Sequence, residues 1–224
     1  MTPQAAAIRR LAWVALFAAA FALVEASVVI YLRSLYYPEG FSFPLRQLPP
    51  VHLGIELARE AATIVMLAAV GVLSGTGRWE RFGGFLVAFG VWDMLFYGWL
   101  WLLLGWPVSL FDWDILFLLP LPWIGPVLAP AAIAAMMTLF GVMAVLRISG
   151  GRTFHPPLLS WLCAIGGTAV IIVSFMMDTG AGLQGAMPSP YRYDLLGAGL
   201  LLYAAAFVAA CRGSKRKPAL EGRL

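Results

Sequence analysis

Long apolar runs alternate along this chain with short segments rich in glycine, proline and charged residues. A helix needs about 20 apolar residues to cross the hydrocarbon core of a bilayer. We therefore predict six membrane-spanning helices, at about residues 11–32, 52–73, 84–104, 127–147, 158–177 and 194–211. No polar segment is long enough to fold on its own. The pattern predicts one all-α transmembrane bundle over residues 1–224.

The composition supports a membrane protein. The chain is 62% hydrophobic and 12% charged, with a mean hydropathy of +0.86, whereas soluble domains carry about 25% charged residues. The net charge of +4 resides on basic residues at predicted helix ends, where membrane topology explains it. We therefore expect membrane lipid as a partner and no nucleic acid. A membrane-protein partner or a homo-oligomer is also compatible with this composition.

Basic residues are distributed unevenly between the two sides of the predicted bundle. Six spans place both termini on one side. Eleven of the fifteen lysines and arginines fall on that side, three on the other, and Arg59 within a span. Because basic residues accumulate in cytoplasmic loops, we predict cytoplasmic termini in a bacterial-type inner membrane. The first apolar run exceeds 20 residues and holds Glu25, so we interpret it as a retained helix rather than a signal peptide.

The connection at residues 105–126 is long, has no basic residue and is rich in tryptophan, leucine, phenylalanine and proline. Its apolar stretch is too short to cross a bilayer. Two interpretations remain open. The segment is either re-entrant or an interfacial loop held at the membrane surface by aromatic anchors.

A stripe of polar residues occupies one face of the second predicted helix. Its members follow a spacing of i, i+4, i+7, i+8 and i+11, and are His52, Glu56, Arg59, Glu60 and Thr63. Such a spacing places side chains on a single helix face. A charged residue near the centre of a spanning helix costs about 2.5–3.5 kcal/mol on insertion scales. The stripe therefore requires a partner, water or a ligand, and it is the strongest indication of a functional site.

Acidic residues of two other helices lie at a similar predicted depth. With a rise of about 1.5 Å per residue, Glu25, Glu60 and Asp93 fall roughly 10–16 Å below the outer helix ends. We therefore predict an outward-facing polar pocket. The candidate catalytic residues are Glu25, Glu56, Arg59, Glu60 and Asp93.

The charges of this predicted pocket do not balance, because four acids face one arginine. Burial of uncompensated charge is unfavourable, so the pocket should hold protons, water or a cation. Arg59 is suited to bind an anionic group. The alternative is that Arg59 pairs with Glu25, Asp93 or its own helix neighbours only to lock the bundle.

Further candidates for substrate binding come from spacing. Tyr97 and Trp101 share a helix face with Asp93 at intervals of four residues, and Asp112 and Asp114 form a D-x-D pair. The candidate substrate-binding residues are Arg59, Tyr97, Trp101, Asp112 and Asp114.

Metal binding is a further hypothesis for the stripe. His52, Glu56 and Glu60 have the i, i+4 spacing by which helical side chains share a metal. This donor set would suit a divalent ion such as Zn, Mn or Fe. The alternative is that His52 is an interfacial residue near lipid headgroups. The only other histidine, His155, lies on the opposite side, so haem is not expected.

No catalytic motif names a reaction, because the chain lacks HExxH, GxSxG and P-loop patterns. Three hypotheses follow. The first is a membrane enzyme that acts on a lipid-linked or amphipathic substrate. The second is a small proton-coupled transporter, although the chain shows no internal repeat. The third is a non-catalytic subunit or scaffold with a structural ion-pair network.

Overall fold

The structure, a computed structural model, describes residues 2–43, 46, 48–184 and 186–212. Within these residues the chain forms seven helices and one two-stranded sheet. The elements are α1 (Pro3–Tyr36), α2 (Pro50–Leu73), α3 (Arg78–Leu104), β1 (Trp113–Phe117), β2 (Trp123–Pro126), α4 (Leu128–Ser149), α5 (Leu158–Met176), α6 (Thr179–Leu183) and α7 (Tyr193–Arg212).

Five of the helices, α1, α3, α4, α5 and α7, are long and apolar enough to cross a membrane. The predicted all-α membrane protein is therefore confirmed. The remaining long helix, α2, has 24 residues and so is about 36 Å long. It carries three charged residues, Glu56, Arg59 and Glu60, and is not among those five helices.

The long helices alternate in direction along the chain. Gln4 near the start of α1 lies against Gly150 at the end of α4. Ala144 of α4 and Ala210 of α7 belong to one apolar cluster, so α7 also finishes at this end. The first helix therefore begins at the end of the bundle where the last one finishes. We call the other end, where α1 and α3 finish and the sheet lies, the hairpin end.

The backbones of α3 and α4 approach each other closely at small residues. A Cβ atom placed on Gly90 would lie 2.4 Å from both the Ala134 carbonyl oxygen and Thr138 Oγ1. Between membrane helices, packing of this kind replaces the hydrophobic effect that drives association in water. The helices α3 and α4 thus form one closely packed pair within the bundle.

We expect Gly90→Leu to lower the free energy of unfolding by about 1–3 kcal/mol, because the new side chain must separate the two backbones. Denaturant unfolding in detergent micelles measures this change. Gly98→Leu is the matched control in the same helix. A Cβ there would meet only Leu95 Cδ2, at 3.7 Å. Equal destabilisation by the two substitutions would contradict the close approach at Gly90.

The 105–126 connection contains an antiparallel hairpin in which Asp114 pairs with Gly125 and Ile115 with Ile124. The Leu118 amide at its tip donates to both carboxylate oxygens of Glu60, at 3.1 and 2.9 Å. Glu60 lies about 15 Å along α2 from its first residue. The hairpin tip therefore contacts the interior face of α2, and the choice between a re-entrant and an interfacial segment stays a prediction. Strand pairing satisfies backbone groups that would otherwise be buried without partners.

Candidate functional site

The polar stripe of α2 faces the interior of the bundle. Glu56, Glu60 and Thr63 are buried, whereas Val65 and Leu73 of the same helix are 67% and 84% exposed. An apolar exterior around a polar interior is the arrangement expected of a helix that contacts lipid. The spacing of the stripe thus correctly predicted which face of α2 turns inward.

A cavity of about 150 Å³ lies between α1, α2, α3 and β1. This volume is large enough to hold water. All five predicted catalytic residues line it: Glu25, Glu56, Arg59, Glu60 and Asp93. Tyr97 and Asp114 line it as well. We call it the carboxylate cavity.

Arg59 is bound on two sides by carboxylates. Its Nε donates to Glu56 Oε2 at 3.0 Å, and its Nη2 also bonds to Glu56. Its Nη1 forms an ion pair with Glu25 of α1. Thr63 Oγ1 completes the cluster by donating to Glu25 Oε1 at 2.9 Å. The acids that bind Arg59 are therefore Glu25 and Glu56, and not Asp93.

A second buried ion pair links α1 to the hairpin. Arg33 Nη2 donates to Asp114 Oδ1 at 2.9 Å, with the two side chains only 10% and 5% exposed. The guanidinium carbon lies 3.7 Å from the centre of the Trp106 ring and 4.2 Å from that of Phe41. Tyr97 lines the same cavity as Asp114. The Arg33–Asp114 pair therefore holds the hairpin against α1.

Arg33 did not emerge as a site residue from the sequence, because it follows the predicted end of the first span at residue 32. The helix continues to Tyr36, which brings Arg33 to the cavity lining. The signal that could have identified it is its position eight residues after Glu25, close to the same helix face.

Asp93 differs from the other acids of the carboxylate cavity. It lines the cavity but makes no hydrogen bond or ion pair with the residues that the structure describes. The described lining contains five carboxylates and three guanidinium groups. If all of them are ionised, the lining carries a formal charge of −2. The excess is smaller by one than the sequence indicated, because Arg33 and Arg46 add two positive charges and Asp114 adds one negative charge.

Three predicted residues do not line the carboxylate cavity. Trp101 is 62% exposed on the outer surface of α3. Asp112 Oδ2 accepts from the amides of Val108 and Ser109, at 2.8 and 3.1 Å, and so stabilises a turn before β1. His52 is exposed and bonds to the Tyr36 hydroxyl.

The predicted metal ligands are accordingly held by other partners. His52 contacts Tyr36, Glu56 binds Arg59, and Glu60 accepts from the hairpin tip. In the described part of the chain, no three His, Cys, Asp or Glu residues are grouped as metal ligands would be. A divalent ion bound by these three residues stays a prediction.

These observations define a multi-pass helical membrane protein whose hairpin packs on α5 and makes polar contacts with α1 and α2. Comparison with known proteins assigns it no narrower class, since no family model, curated protein or solved structure matches the chain.

Proposed function

We propose that this protein is a membrane enzyme that acts on an amphipathic or lipid-linked substrate whose polar head enters the carboxylate cavity. The observation that carries the proposal is Asp93, a carboxylate in the cavity lining that no described residue engages. A carboxylate in that position can accept a proton from a bound substrate and return it, which is general acid/base catalysis. Glu25 and Glu56 are paired with Arg59, and Glu60 accepts from the hairpin. These three acids therefore hold the surrounding helices and the hairpin in place.

The pairing of Arg59 with carboxylates of the protein limits which substrate head groups can bind in the cavity. Three of its nitrogens already contact Glu25 or Glu56, which leaves it poorly placed to hold a second anion. Together with the formal charge of −2 in the lining, this pairing favours a head group that is cationic or neutral and polar. Apolar lining residues such as Val29, Leu32 and Phe96 would contact the apolar part of the same molecule.

We expect Asp93→Asn to reduce turnover by about 100-fold or more, because it removes the proton acceptor and keeps the side-chain shape. The assay incubates the purified protein with a total bacterial lipid extract and compares the products by liquid chromatography and mass spectrometry. Asp178→Asn is the matched control, since Asp178 lies outside the cavity lining and accepts from the Ser189 amide at 3.1 Å. Undiminished product formation by Asp93→Asn would refute the proposal.

A scaffold function is the second candidate, and the two buried ion pairs favour it. Arg59 with Glu25, and Arg33 with Asp114, join the first helix to α2 and to the hairpin. A scaffold predicts that Asp93→Asn stabilises the fold, by removal of an unpaired acid, while no lipid in the extract is converted. The transporter hypothesis predicts a polar route through both ends of the bundle, and no observation favours it.

The orientation of the protein is part of the same proposal. The end where α1 begins and α7 finishes carries Arg9, Arg10, Arg78 and Arg81. By the positive-inside rule this end faces the cytoplasm. The carboxylate cavity then lies toward the outer side of a bacterial-type inner membrane, where it would meet lipids of the outer leaflet.

A further inference from the structure

A second cavity, of about 360 Å³, lies between α3, α4, α5 and α7, away from the hairpin end. Its volume is within the range of about 300–1,000 Å³ that is usual for ligand sites. It exists because α4 and α7 touch at few points, among them the stacked rings of Phe140 and Phe207, whose centres are 4.2 Å apart. We call it the apolar cavity, since aromatic, methionine and alanine side chains form most of its lining.

Two polar groups in the lining of the apolar cavity have unmet hydrogen-bonding capacity. Ser160 Oγ and Trp79 Nε1 are both buried and have no hydrogen-bond partner among the described residues. Ser160 is only 4% exposed. By contrast, Thr168 and Tyr203 in the same lining bond to each other at 2.9 Å. Buried polar groups in native proteins nearly always have partners, so the two free groups point to a missing acceptor.

The free groups mark one end of the apolar cavity. Trp79 is the second residue of α3 and Ser160 the third of α5. The Trp79 ring also contacts the Trp161 ring, with centres 6.1 Å apart. On α4 the lining extends from Ile133 to Ala144, a length of about 16 Å. The cavity is thus a long apolar slot with hydrogen-bond donors at one end.

The rim of the slot is open on the outer surface of the bundle. Phe82 and Trp161, which both line it, are each 49% exposed. In a membrane this surface faces lipid rather than water. The occupant would therefore enter sideways from the bilayer.

Charge at the polar end indicates an anionic occupant. The guanidinium carbon of Arg78 lies 5.4 Å from the centre of the Trp79 ring, and Arg78 is exposed. Basic side chains at the level of lipid headgroups attract anionic lipids.

We infer that the apolar cavity binds one acyl chain of an anionic glycerophospholipid. The ester carbonyl accepts hydrogen bonds from Trp79 Nε1–H and Ser160 Oγ–H, and Arg78 contacts the phosphate. This site is separate from the carboxylate cavity and does not depend on the function proposed for it.

The test is native mass spectrometry of the full-length protein in detergent after incubation with phosphatidylglycerol. The wild-type protein should retain one lipid molecule. A Trp79→Phe/Ser160→Ala double variant should retain it about tenfold less, because two hydrogen bonds are lost. The matched control is Trp13→Phe/Ser27→Ala on α1, which should retain lipid like the wild-type protein. Circular dichroism and thermal unfolding verify that every variant is folded.

Two single variants test separately the binding of the acyl chain in the slot and the preference for an anionic head group. Ala164→Phe fills the slot and should abolish retention even if the double variant does not fold. Arg78→Gln should remove the preference for phosphatidylglycerol over phosphatidylcholine. Equal retention by the wild-type protein and the folded double variant, or by Ala164→Phe, would overturn the site. Equal binding of phosphatidylcholine by the wild-type protein would overturn the anionic lipid, and equal binding of palmitate would replace it by a free fatty acid.

Discussion

Replacing Arg59 by methionine should lower the free energy of unfolding by about 3–5 kcal/mol, since it leaves buried carboxylates without their counter-charge. Arg59 is the cation that Glu25 and Glu56 share. Without it, both acids must be protonated, hydrated or left unpaired in a cavity of about 150 Å³. Denaturant unfolding in micelles, followed by tryptophan fluorescence, measures the loss.

Two comparisons show whether burial causes that loss. Arg192 pairs with Asp194 at 2.6 Å, and both side chains are more than half exposed. Arg192→Met should therefore change stability little, because water screens such a pair. The triple variant Arg59→Met/Glu25→Gln/Glu56→Gln should recover most of the stability, since it removes the stranded charges. A loss below about 1 kcal/mol for Arg59→Met alone would show that water already compensates these acids.

The sequence was sufficient to place the acids of the carboxylate cavity at one level. Helix rise is nearly constant, so the number of residues from a helix end translates directly into depth. In the structure Glu25 and Asp93 each precede the last residue of their helix by 11 positions, and Glu60 follows the first residue of α2 by 10. Residue spacing alone therefore accounts for the presence of these three side chains at one depth, in the lining of one cavity.

The choice of partners could not be predicted in the same way. Arg59 had Glu25, Glu56, Glu60 and Asp93 within reach by depth, and depth does not give the rotation of each helix about its axis. Rotation depends on packing such as that of Gly71 on α2 against the backbone of Phe85. The rotation of α3 about its own axis likewise places Trp101 outside the cavity, although Trp101 lies two turns from Asp93 on nominally the same helix face.

The β-hairpin was not predicted from the sequence at all. A β-strand pair within a helical membrane protein leaves only a short apolar signal, and its register is fixed by contacts distant in sequence. Arg33 and Asp114 are 81 residues apart, and Glu60 and Leu118 are 58 apart. Residue spacing carries no information on contacts at such separations. The D-x-D pair was predicted as one unit, but its two members lie in different places, Asp114 at the cavity and Asp112 in a turn.

The hairpin should depend strongly on Arg33. We expect Arg33→Met to lower the free energy of unfolding by about 3 kcal/mol, because Asp114 would lose its buried counter-charge. The loss should be concentrated at residues 113–126. Hydrogen exchange there should accelerate, while exchange in α5 and α7 stays as in the wild-type protein. Mass spectrometry of peptides from the two regions measures the difference.

Arg33→Lys and a double variant separate charge from ring contact. Lysine keeps the positive charge but lacks the planar guanidinium that stacks between Trp106 and Phe41, so Arg33→Lys should produce part of the loss. Arg33→Met/Asp114→Asn removes both charges together. It should therefore be less destabilising than the sum of the two single changes, by at least about 1 kcal/mol. Additive effects, or unchanged exchange at residues 113–126, would mean that the hairpin is held by its apolar contacts with α5 instead.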